Sequence, residues 1–366
     1  MQHFGPFFGV FSAFLRGFFA AGSPDLQPCS AAGEPSRHPV DWRLKGLVQK
    51  TLGYVPRGDH IHYILQKRFG GLRNFRRECA AKVEDWRLMI GHMREVDLPV
   101  AGTRMMEMGS GWYPTLPFCS YLGGIGEIHT FDLNRHMRVE LAIKLAEVIG
   151  DHLDMIAEYG DSSRDEVGRR HGHLLRTLRS SGDVTEATEG CVHYHAPADA
   201  RKTSLPDNSI DWGFSNSVLE HVPAEDIVAC MRESMRVIKP GKFMFHSVNC
   251  GDHYAYNDRS INQLNYLRYS ETEWRLWQND FLWQNRIRAK EFIQMARDVG
   301  FEIVIDTTNP TEKKLDQLAQ IPVHRDFSSR YTPEELCLTS VDFVGQKPGS
   351  DEPDDESAGS GNGTSG

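Results

Sequence analysis

The spacing of apolar residues changes near residue 104. In residues 41–100 apolar positions recur at helical intervals, most clearly in HIHYILQKRF (60–69) and ECAAKVEDWRLMIGHM (78–93), and strand patterns are scarce. From Arg104 onward, short apolar runs alternate with amphipathic stretches, which is typical of β-α units around a parallel sheet. The pattern therefore predicts an α/β domain that follows a helical cap.

Seven strands and four helices can be placed after the change. The strands are predicted near residues 104–108, 127–131, 191–195, 210–215, 241–248, 301–306 and 339–345. The helices are predicted near residues 114–122, 136–149, 223–237 and 289–300. Two insertions interrupt the alternation, a charged one at 151–190 and an aromatic one at 252–288.

The two ends of the chain differ in composition from the rest. Residues 1–40 begin with MQHFGPFFGVFSAFLRGFFAAG and end in a linker rich in Pro, Ser and Gly. A membrane-surface helix, a secretory signal and a poorly ordered extension all remain open for this segment, although Arg16 argues against a spanning helix. We expect a cytoplasmic protein with a sticky N-terminal extension. Residues 347–366 are acidic and rich in Gly and Ser, which predicts disorder.

Charge and cysteine content exclude several classes of protein. The 366 residues carry a formal net charge of −9, and the segment DEPDDE (351–356) supplies five of the negative charges. The mildly acidic remainder argues against a nucleic-acid partner. The seven cysteines are scattered and never form C-x-x-C, which favours reduced thiols over a disulfide framework or a zinc site.

The segment RMMEMGSGWYP (104–114) is built for close contact between a ligand and the main chain. The strand ends in an acid, Glu107, and Gly109 and Gly111 then permit positive φ angles. A dinucleotide fingerprint would need a third glycine at position 114, where the chain has Pro114, so a nicotinamide dehydrogenase is disfavoured. A tight turn without a ligand remains an alternative.

Later motifs decide between these interpretations. Asp132 ends the next strand, where it can accept hydrogen bonds from ribose hydroxyls. Further on, the chain reads ADARKTSLPDNSIDWGFSNSVLEHV (198–222) and ESMRVIKPGKFMFHSV (233–248). These ordered motifs, spread over about residues 100–306, resemble the class I S-adenosylmethionine-dependent methyltransferases. The segment HSVNCGDHYAYNDRSINQLNYLRYSETEW (246–274) is similar to bacterial methyltransferases of glycan and secondary-metabolite pathways. The resemblance implies a Rossmann-like α/β fold, with a seven-stranded, mostly parallel sheet and helices on both faces, over residues 101–346.

The resemblance also implies eight cofactor contacts, all at strand ends or in the turns that follow. They are Glu107, Gly109 and Gly111 for the methionine part of S-adenosyl-L-methionine, Asp132 for the ribose, Asp199 and the Ala200 backbone for the adenine, and Asn216 and Ser217 beside the transferable methyl group. Many relatives have a third glycine at the position of Tyr113. We therefore expect Trp112 and Tyr113 to line the pocket.

A hydroxyl acceptor needs a base, because its proton must leave as the oxygen attacks. His221 in VLEHV is the candidate catalytic residue, with His246 and His253 as competitors, and each of the three could instead be structural. We therefore expect an O-methyltransferase; an N-methyltransferase and a non-catalytic S-adenosylmethionine-binding module are the alternatives. We predict no metal, because the pairs HGH (171–173) and HYH (193–195) lack a third ligand in the sequence.

The aromatic insertion is the predicted acceptor lid. Residues 252–288 mix aromatic faces with hydrogen-bonding groups, as suits a sugar or another small polar molecule; a helix pair that packs on the sheet is the alternative. Arg76 and Arg77 in the cap raise the further hypothesis of a nucleotide-linked acceptor.

Overall fold

A seven-stranded sheet with the order β3-β2-β1-β4-β5-β7-β6 forms the centre of the molecule. The computed structural model describes residues 41–53, 74–256, 258–279 and 283–349. The strands are β1 (Arg104–Met108), β2 (Glu127–Phe131), β3 (Val192–His195), β4 (Ile210–Asn216), β5 (Ile238–Asn249), β6 (Glu302–Asp306) and β7 (Ser340–Gln346). Neighbours from β3 to β5 pair in parallel, whereas β7 runs antiparallel to β5 and β6. The predicted seven-stranded, mostly parallel sheet is confirmed.

Helices cover both faces of this sheet. In chain order they are α1 (Trp42–Gly53), α2 (Phe75–Glu95), α3 (Thr115–Gly123), α4 (Val139–Ile149), α5 (Leu153–Tyr159), α6 (Arg164–Ser180), α7 (Val184–Ala187), α8 (Ala224–Val237), α9 (Glu271–Trp274), α10 (Ala289–Val299), α11 (Glu312–Ala319), α12 (Arg325–Ser328) and α13 (Pro333–Leu336). One core packs α2 to α6 against one face, and a second packs α8 and α10 against the other.

Central strands of a parallel sheet are buried on both faces, which explains their nearly continuous apolar character. Every residue of β4 except Asn216 is buried, and so is every residue of β1 except Arg104. The predicted bounds of one strand and one helix need correction. The strand predicted at 241–248 extends over Ile238–Asn249, and the helix predicted to start at 136 starts at Val139, because Arg138 is still extended at φ −127°.

Helix α2 belongs to the predicted helical cap and packs against one face of the sheet. Trp86 is fully buried, and its indole N–H donates to Ser120 Oγ at 3.1 Å, which ties α2 to α3. Lys82 lies one turn before Trp86 on the same helix, and its ammonium reaches Asn216 at the end of β4. The other helical segment of the predicted cap, residues 60–69, lies outside the described residues.

A third, smaller core is built from the aromatic insertion. Trp42 of α1 packs against the rings of Tyr254, Tyr269 and Trp274 at centroid distances of 5.2, 5.8 and 5.8 Å. The described insertion consists of short helical turns and loops, not of a helix pair. Most of its aromatic rings are therefore used for packing.

Two global expectations can be compared with the described residues. All six described cysteines are buried free thiols, and Cys29 lies outside the described ranges. No helix within those ranges is both long and apolar enough to cross a membrane. The Phe-rich start and the acidic tail from residue 350 lie outside them.

Candidate active site

An open cavity of about 600 Å³ lies at the carboxyl ends of β1, β2 and β4. This is the edge at which α/β sheets generally bind ligands. The cavity lining includes all eight predicted cofactor residues and the candidate base, namely Glu107, Gly109, Gly111, Asp132, Asp199, Ala200, Asn216, Ser217 and His221. Trp112 and Tyr113 also line it, as expected from the missing third glycine.

The glycine turn is held by main-chain contacts. Gly109 has φ +84°, and a Cβ atom there would lie 2.4 Å from Val218 Cγ2, so only glycine fits. Gly111 has φ +65°, and a Cβ atom there would meet nothing within 4 Å, because the position borders open space. The turn therefore presents backbone to the cavity.

Asp132 links this turn to the next strand end. Its Oδ2 accepts the Gly111 N–H at 3.0 Å, and its Oδ1 accepts the Asn134 N–H at 3.0 Å. Each carboxylate oxygen can accept more than one hydrogen bond, so both remain able to accept from a ligand hydroxyl.

Glu107 lies at the floor of the cavity and is only 5% exposed. Thr130 Oγ1 donates to its carboxylate and lies 2.5 Å from Ser110 Oγ. Burial raises the pKa of Glu107 to about 8, against a smaller lowering by the Thr130 hydrogen bond. The Glu107 carboxyl group is therefore largely protonated at neutral pH, and a cation beside it would favour its ionised form.

Asp199 is engaged differently from the expectation. The Arg201 guanidinium contacts its carboxylate at 2.7 Å and also bonds to Asp226. The hydrogen bond from Arg201 lowers the pKa of Asp199. The rim beside Ala200 is therefore an ion-paired Asp–Arg–Asp group, and Arg201 itself lines the cavity.

The end of β4 is conformationally unusual. Ser217 has φ +55°, and its N–H donates to Ser247 O at 2.9 Å. Non-glycine residues with positive φ cluster at ligand sites, because the surrounding structure must hold them there. Asn216 accepts from Lys82, so this strand end is fastened to α2.

The three candidate histidines have different surroundings. His246 is fully buried, bonds to Ser215 Oγ at 2.7 Å and does not line the cavity, and burial lowers its pKa to about 3. His221 is exposed to the cavity, and its Nδ1 lies 2.7 Å from the Trp283 carbonyl oxygen. The ring of His253 lies beside His221, with the centroids 5.1 Å apart. His246 is thus structural, whereas His221 meets the cavity.

A carbonyl oxygen only accepts hydrogen bonds, so Nδ1 of His221 must carry the ring proton and Nε2 carries the lone pair. Loss of water around the ring lowers the pKa of His221, partly offset by the Trp283 carbonyl. The ring is therefore neutral near pH 7 and able to accept a proton.

Three residues near the cavity were not anticipated from the sequence. Lys82 sits beside the buried stripe of α2, three residues after Cys79 and four before Trp86, and this placement is the signal that could have identified it. Arg201 follows Asp199 closely in the chain. Glu220 is 1% exposed, and its carboxylate oxygens have no hydrogen-bond partner of good geometry among the described residues.

The predicted acceptor lid does not line the cavity in its described part. No described residue of 252–288 belongs to the lining. The segment touches residues that line the cavity: His221 contacts the Trp283 carbonyl and the ring of His253, and the Asn285 amide donates to the carbonyls of Leu219 and Val222.

The charged side chains in and beside the cavity fit a cationic ligand. Glu107 and Glu220 are both buried, burial raises the pKa of Glu220 to about 7, and Lys82 is the cation that acts on both. Two carboxyl groups that a nearby cation would ionise thus lie beside one ammonium group. S-adenosylmethionine carries a sulfonium, an ammonium and a carboxylate group and is a net cation, so these residues fit its charge.

The family model of a methyltransferase domain matches residues 174–245. No curated protein matches the chain.

The chain is similar in fold to solved methyltransferase structures, at low sequence identity. The chain is similar to an S-adenosylmethionine-dependent methyltransferase from Mesorhizobium loti, with 14% identity over 70% of this chain and 96% of that one, at a TM-score of 0.37. It is similar to one from Methanosarcina mazei, with 14% identity over 68% and 93%, at a TM-score of 0.38. It is also similar to a geranyl diphosphate methyltransferase in complex with GPP and sinefungin, with 12% identity over 73% and 77%, at a TM-score of 0.38.

Proposed function

We propose that this chain is a class I S-adenosylmethionine-dependent methyltransferase that methylates an oxygen of a small polar acceptor, a sugar or a related metabolite. The match of residues 174–245 to a methyltransferase domain and the order of the strands support the proposal. The observation that carries the proposal is the hydrogen bond between His221 Nδ1 and the Trp283 carbonyl oxygen, 2.7 Å long. It directs the basic Nε2 nitrogen away from the carbonyl, in a side chain that lines the cavity.

The cofactor supplies an electrophilic methyl group on a positively charged sulfur. We propose that Gly109, Gly111 and Glu107 hold its methionine part, with the ionised Glu107 beside the positive charge. Asp132 would accept hydrogen bonds from the ribose, and the Asp199–Ala200 rim would hold the adenine. Asn216 and Ser217 would lie beside the transferable methyl group.

His221 then acts on the acceptor. Its Nε2 nitrogen receives the hydroxyl proton as the acceptor oxygen attacks, and the Trp283 carbonyl keeps the ring in the required tautomer. General-base assistance of this kind contributes about 10²–10⁴-fold to a rate. Alignment of the two reactants in the cavity supplies the other main contribution.

Outside the cavity lining, the side chains next to His253 offer an aromatic face that supports a polar, ring-shaped acceptor. Tyr256 is 53% exposed, its ring lies 5.5 Å from that of His253, and its hydroxyl accepts from Asn249. An aromatic face beside hydrogen-bonding groups is suited to a sugar ring.

A nucleotide-linked acceptor receives no support from the two arginines that suggested it. Arg76 is ion-paired with Asp151 on the exposed surface, and neither Arg76 nor Arg77 lines the cavity. The proposal therefore does not include a phosphate-binding role for them.

The proposal can be tested with methyl-labelled S-adenosylmethionine and a metabolite extract of the source organism. We expect label in a product whose methyl group sits on oxygen. A product methylated on nitrogen would contradict the proposal, and so would cofactor binding with no transfer to any extract component.

A further inference from the structure

Three histidines and a glutamate form a second cluster on the outer strands of the sheet. His129 of β2 and His193 of β3 are direct register partners, and Glu127 lies two residues before His129 on the same face. The three side chains are partly exposed, at 29% for Glu127, 13% for His129 and 33% for His193. Parallel strands hold this face rigidly.

One carboxylate oxygen stands between the two rings. Glu127 Oε1 lies 3.3 Å from His129 Nε2 and 3.2 Å from His193 Nε2. Zinc bonds of about 2.0–2.1 Å at tetrahedral angles place neighbouring ligand atoms roughly 3.4 Å apart. The two distances therefore match ligand spacing around a tetrahedral ion.

The surrounding contacts orient these groups as metal sites generally require. His129 Nδ1 lies 3.0 Å from His195 Nε2, and the Arg104 guanidinium donates to the other oxygen of Glu127 at 2.7 Å. In the tautomer in which His129 Nδ1 donates to His195, His129 Nε2 has its lone pair toward Glu127. That nitrogen is buried and has no hydrogen-bond partner of good geometry among the described residues.

We propose that Glu127, His129 and His193 bind one divalent transition-metal ion of the zinc type, with His195 and Arg104 positioning two of the ligands. Two imidazoles and one carboxylate are a common zinc ligand set. The exposed side of His193 leaves a fourth position for water and a path for entry. The sequence showed only the pair His193 and His195, and β2 supplies the missing ligands.

This site is separate from the cavity. Glu127 starts β2, whereas Asp132 follows the opposite end of the strand, about 16 Å away for extended backbone. The ion would tie the edge strand β3 to β2, so its expected effect is on stability and not on the methyl-transfer step.

The test uses full-length, untagged protein stripped with a chelator and titrated with ZnCl₂ by calorimetry, and with Co²⁺ by visible absorption. We expect one equivalent of Zn²⁺ to bind, a tetrahedral Co²⁺ spectrum, and a rise in Tm with Zn²⁺. Glu127→Gln and His193→Gln should each weaken binding at least ~100-fold, and His195→Ala by about 10–100-fold. His193 lies on the half-exposed edge strand. Circular dichroism and S-adenosylhomocysteine binding show that each variant is folded.

Two control variants separate this site from others. His173→Ala removes a histidine that bonds to the Glu186 carbonyl in another part of the molecule, and it should retain full Zn²⁺ affinity. His221→Ala should also retain it, although a ligand atom from each of Glu220, His221 and His253 lies within 4.8 Å of the others. Absence of saturable binding, wild-type affinity in His193→Gln, or loss of binding only in His221→Ala would overturn the proposal.

Discussion

The cavity at the strand ends and the aromatic core of the 252–288 segment contain similar kinds of side chain, but these groups are used differently. In the aromatic core, polar side chains hold the segment together: Tyr254 Oη donates to the Trp277 carbonyl at 2.6 Å, and the buried Arg288 donates to the Cys250 carbonyl at 3.0 Å. In the cavity, Glu107 is buried with a raised pKa and Gly111 borders open space. The difference teaches that a buried carboxyl group with a perturbed pKa beside open space, more than aromatic content, distinguishes the candidate ligand site.

The largest expected effect is a loss of stability when the aromatic core is disrupted, with little change in cofactor binding at the cavity. Trp42→Ala should reduce the free energy of unfolding by about 3–5 kcal/mol, because a buried ring that packs against Tyr254 and Trp274 is lost. Affinity for S-adenosylhomocysteine should stay within about two-fold. Urea unfolding and calorimetry measure the two quantities.

Leu47→Ala on the same helix is the matched control. Leu47 is 53% exposed, so its removal should change stability by less than about 0.5 kcal/mol. A loss of cofactor affinity in Trp42→Ala would mean that the aromatic core supports the cavity directly, and the contrast would fail.

The next effect tests the glycine turn. Gly109→Ala should abolish detectable S-adenosylhomocysteine binding and destabilise the protein. The new Cβ atom would displace Val218, and alanine is strained at the positive φ of position 109. Gly190→Ala is the control, because Gly190 has φ +83° and nothing within 4 Å of an added Cβ. Gly109→Ala should cost roughly 1–3 kcal/mol more than Gly190→Ala. Equal costs and retained binding would show that the turn tolerates the clash.

A smaller effect concerns the ribose contact. Asp132→Ala removes the acceptor of the Gly111 and Asn134 amides and should weaken S-adenosylhomocysteine binding by roughly 10–100-fold, the value of about 1.5–3 kcal/mol for charged hydrogen bonds. Asp306→Ala is matched, because Asp306 also ends a strand and accepts an amide two residues on, from Thr308 at 2.8 Å. It should leave affinity unchanged, and an equal loss in both variants would remove Asp132 from the site.

The smallest expected effect is the pH dependence that comes from Glu107. Its folded pKa of about 8 lies above the ordinary 4.5, so its contribution to stability is complete below pH 4.5 and is lost as the pH rises through 8. Glu107→Gln should flatten the unfolding free energy of the ligand-free protein over this range. At pH 7, binding of S-adenosylmethionine should release up to about one proton in the wild type and less in Glu107→Gln. Calorimetry in two buffers of different ionisation enthalpy measures the release; equal release in both proteins would contradict the assignment.

Much of this arrangement follows from local patterns in the chain. Apolar periodicity predicts β1 and β2 at their observed bounds, since a buried strand in a parallel sheet needs a continuous apolar run. Parallel topology then brings the carboxyl ends of β1, β2 and β4 to one edge. Asp132 and Ser217 directly follow those strands; the resemblance to methyltransferases assigned both to one site, and both line the cavity.

Contacts between distant segments could not be predicted in the same way. Lys82 reaches Asn216 across 134 positions, and the histidine cluster depends on the register of β2 with β3. The aromatic insertion has no periodicity that separates packing from ligand contact. Trp42, far away in the chain, decides that most of its rings form a core.

The most direct test of the account is the pH profile of methyl transfer with and without His221. In the wild type, kcat/KM should rise with pH to a plateau, and the midpoint should lie below the ordinary histidine pKa of 6.5, because the neutral ring is the base and its pKa is lowered. In His221→Ala this rise should disappear and the plateau should fall about 10²–10⁴-fold, with S-adenosylhomocysteine affinity unchanged. A variant that keeps the wild-type rate and pH profile would contradict the role of His221 as the base.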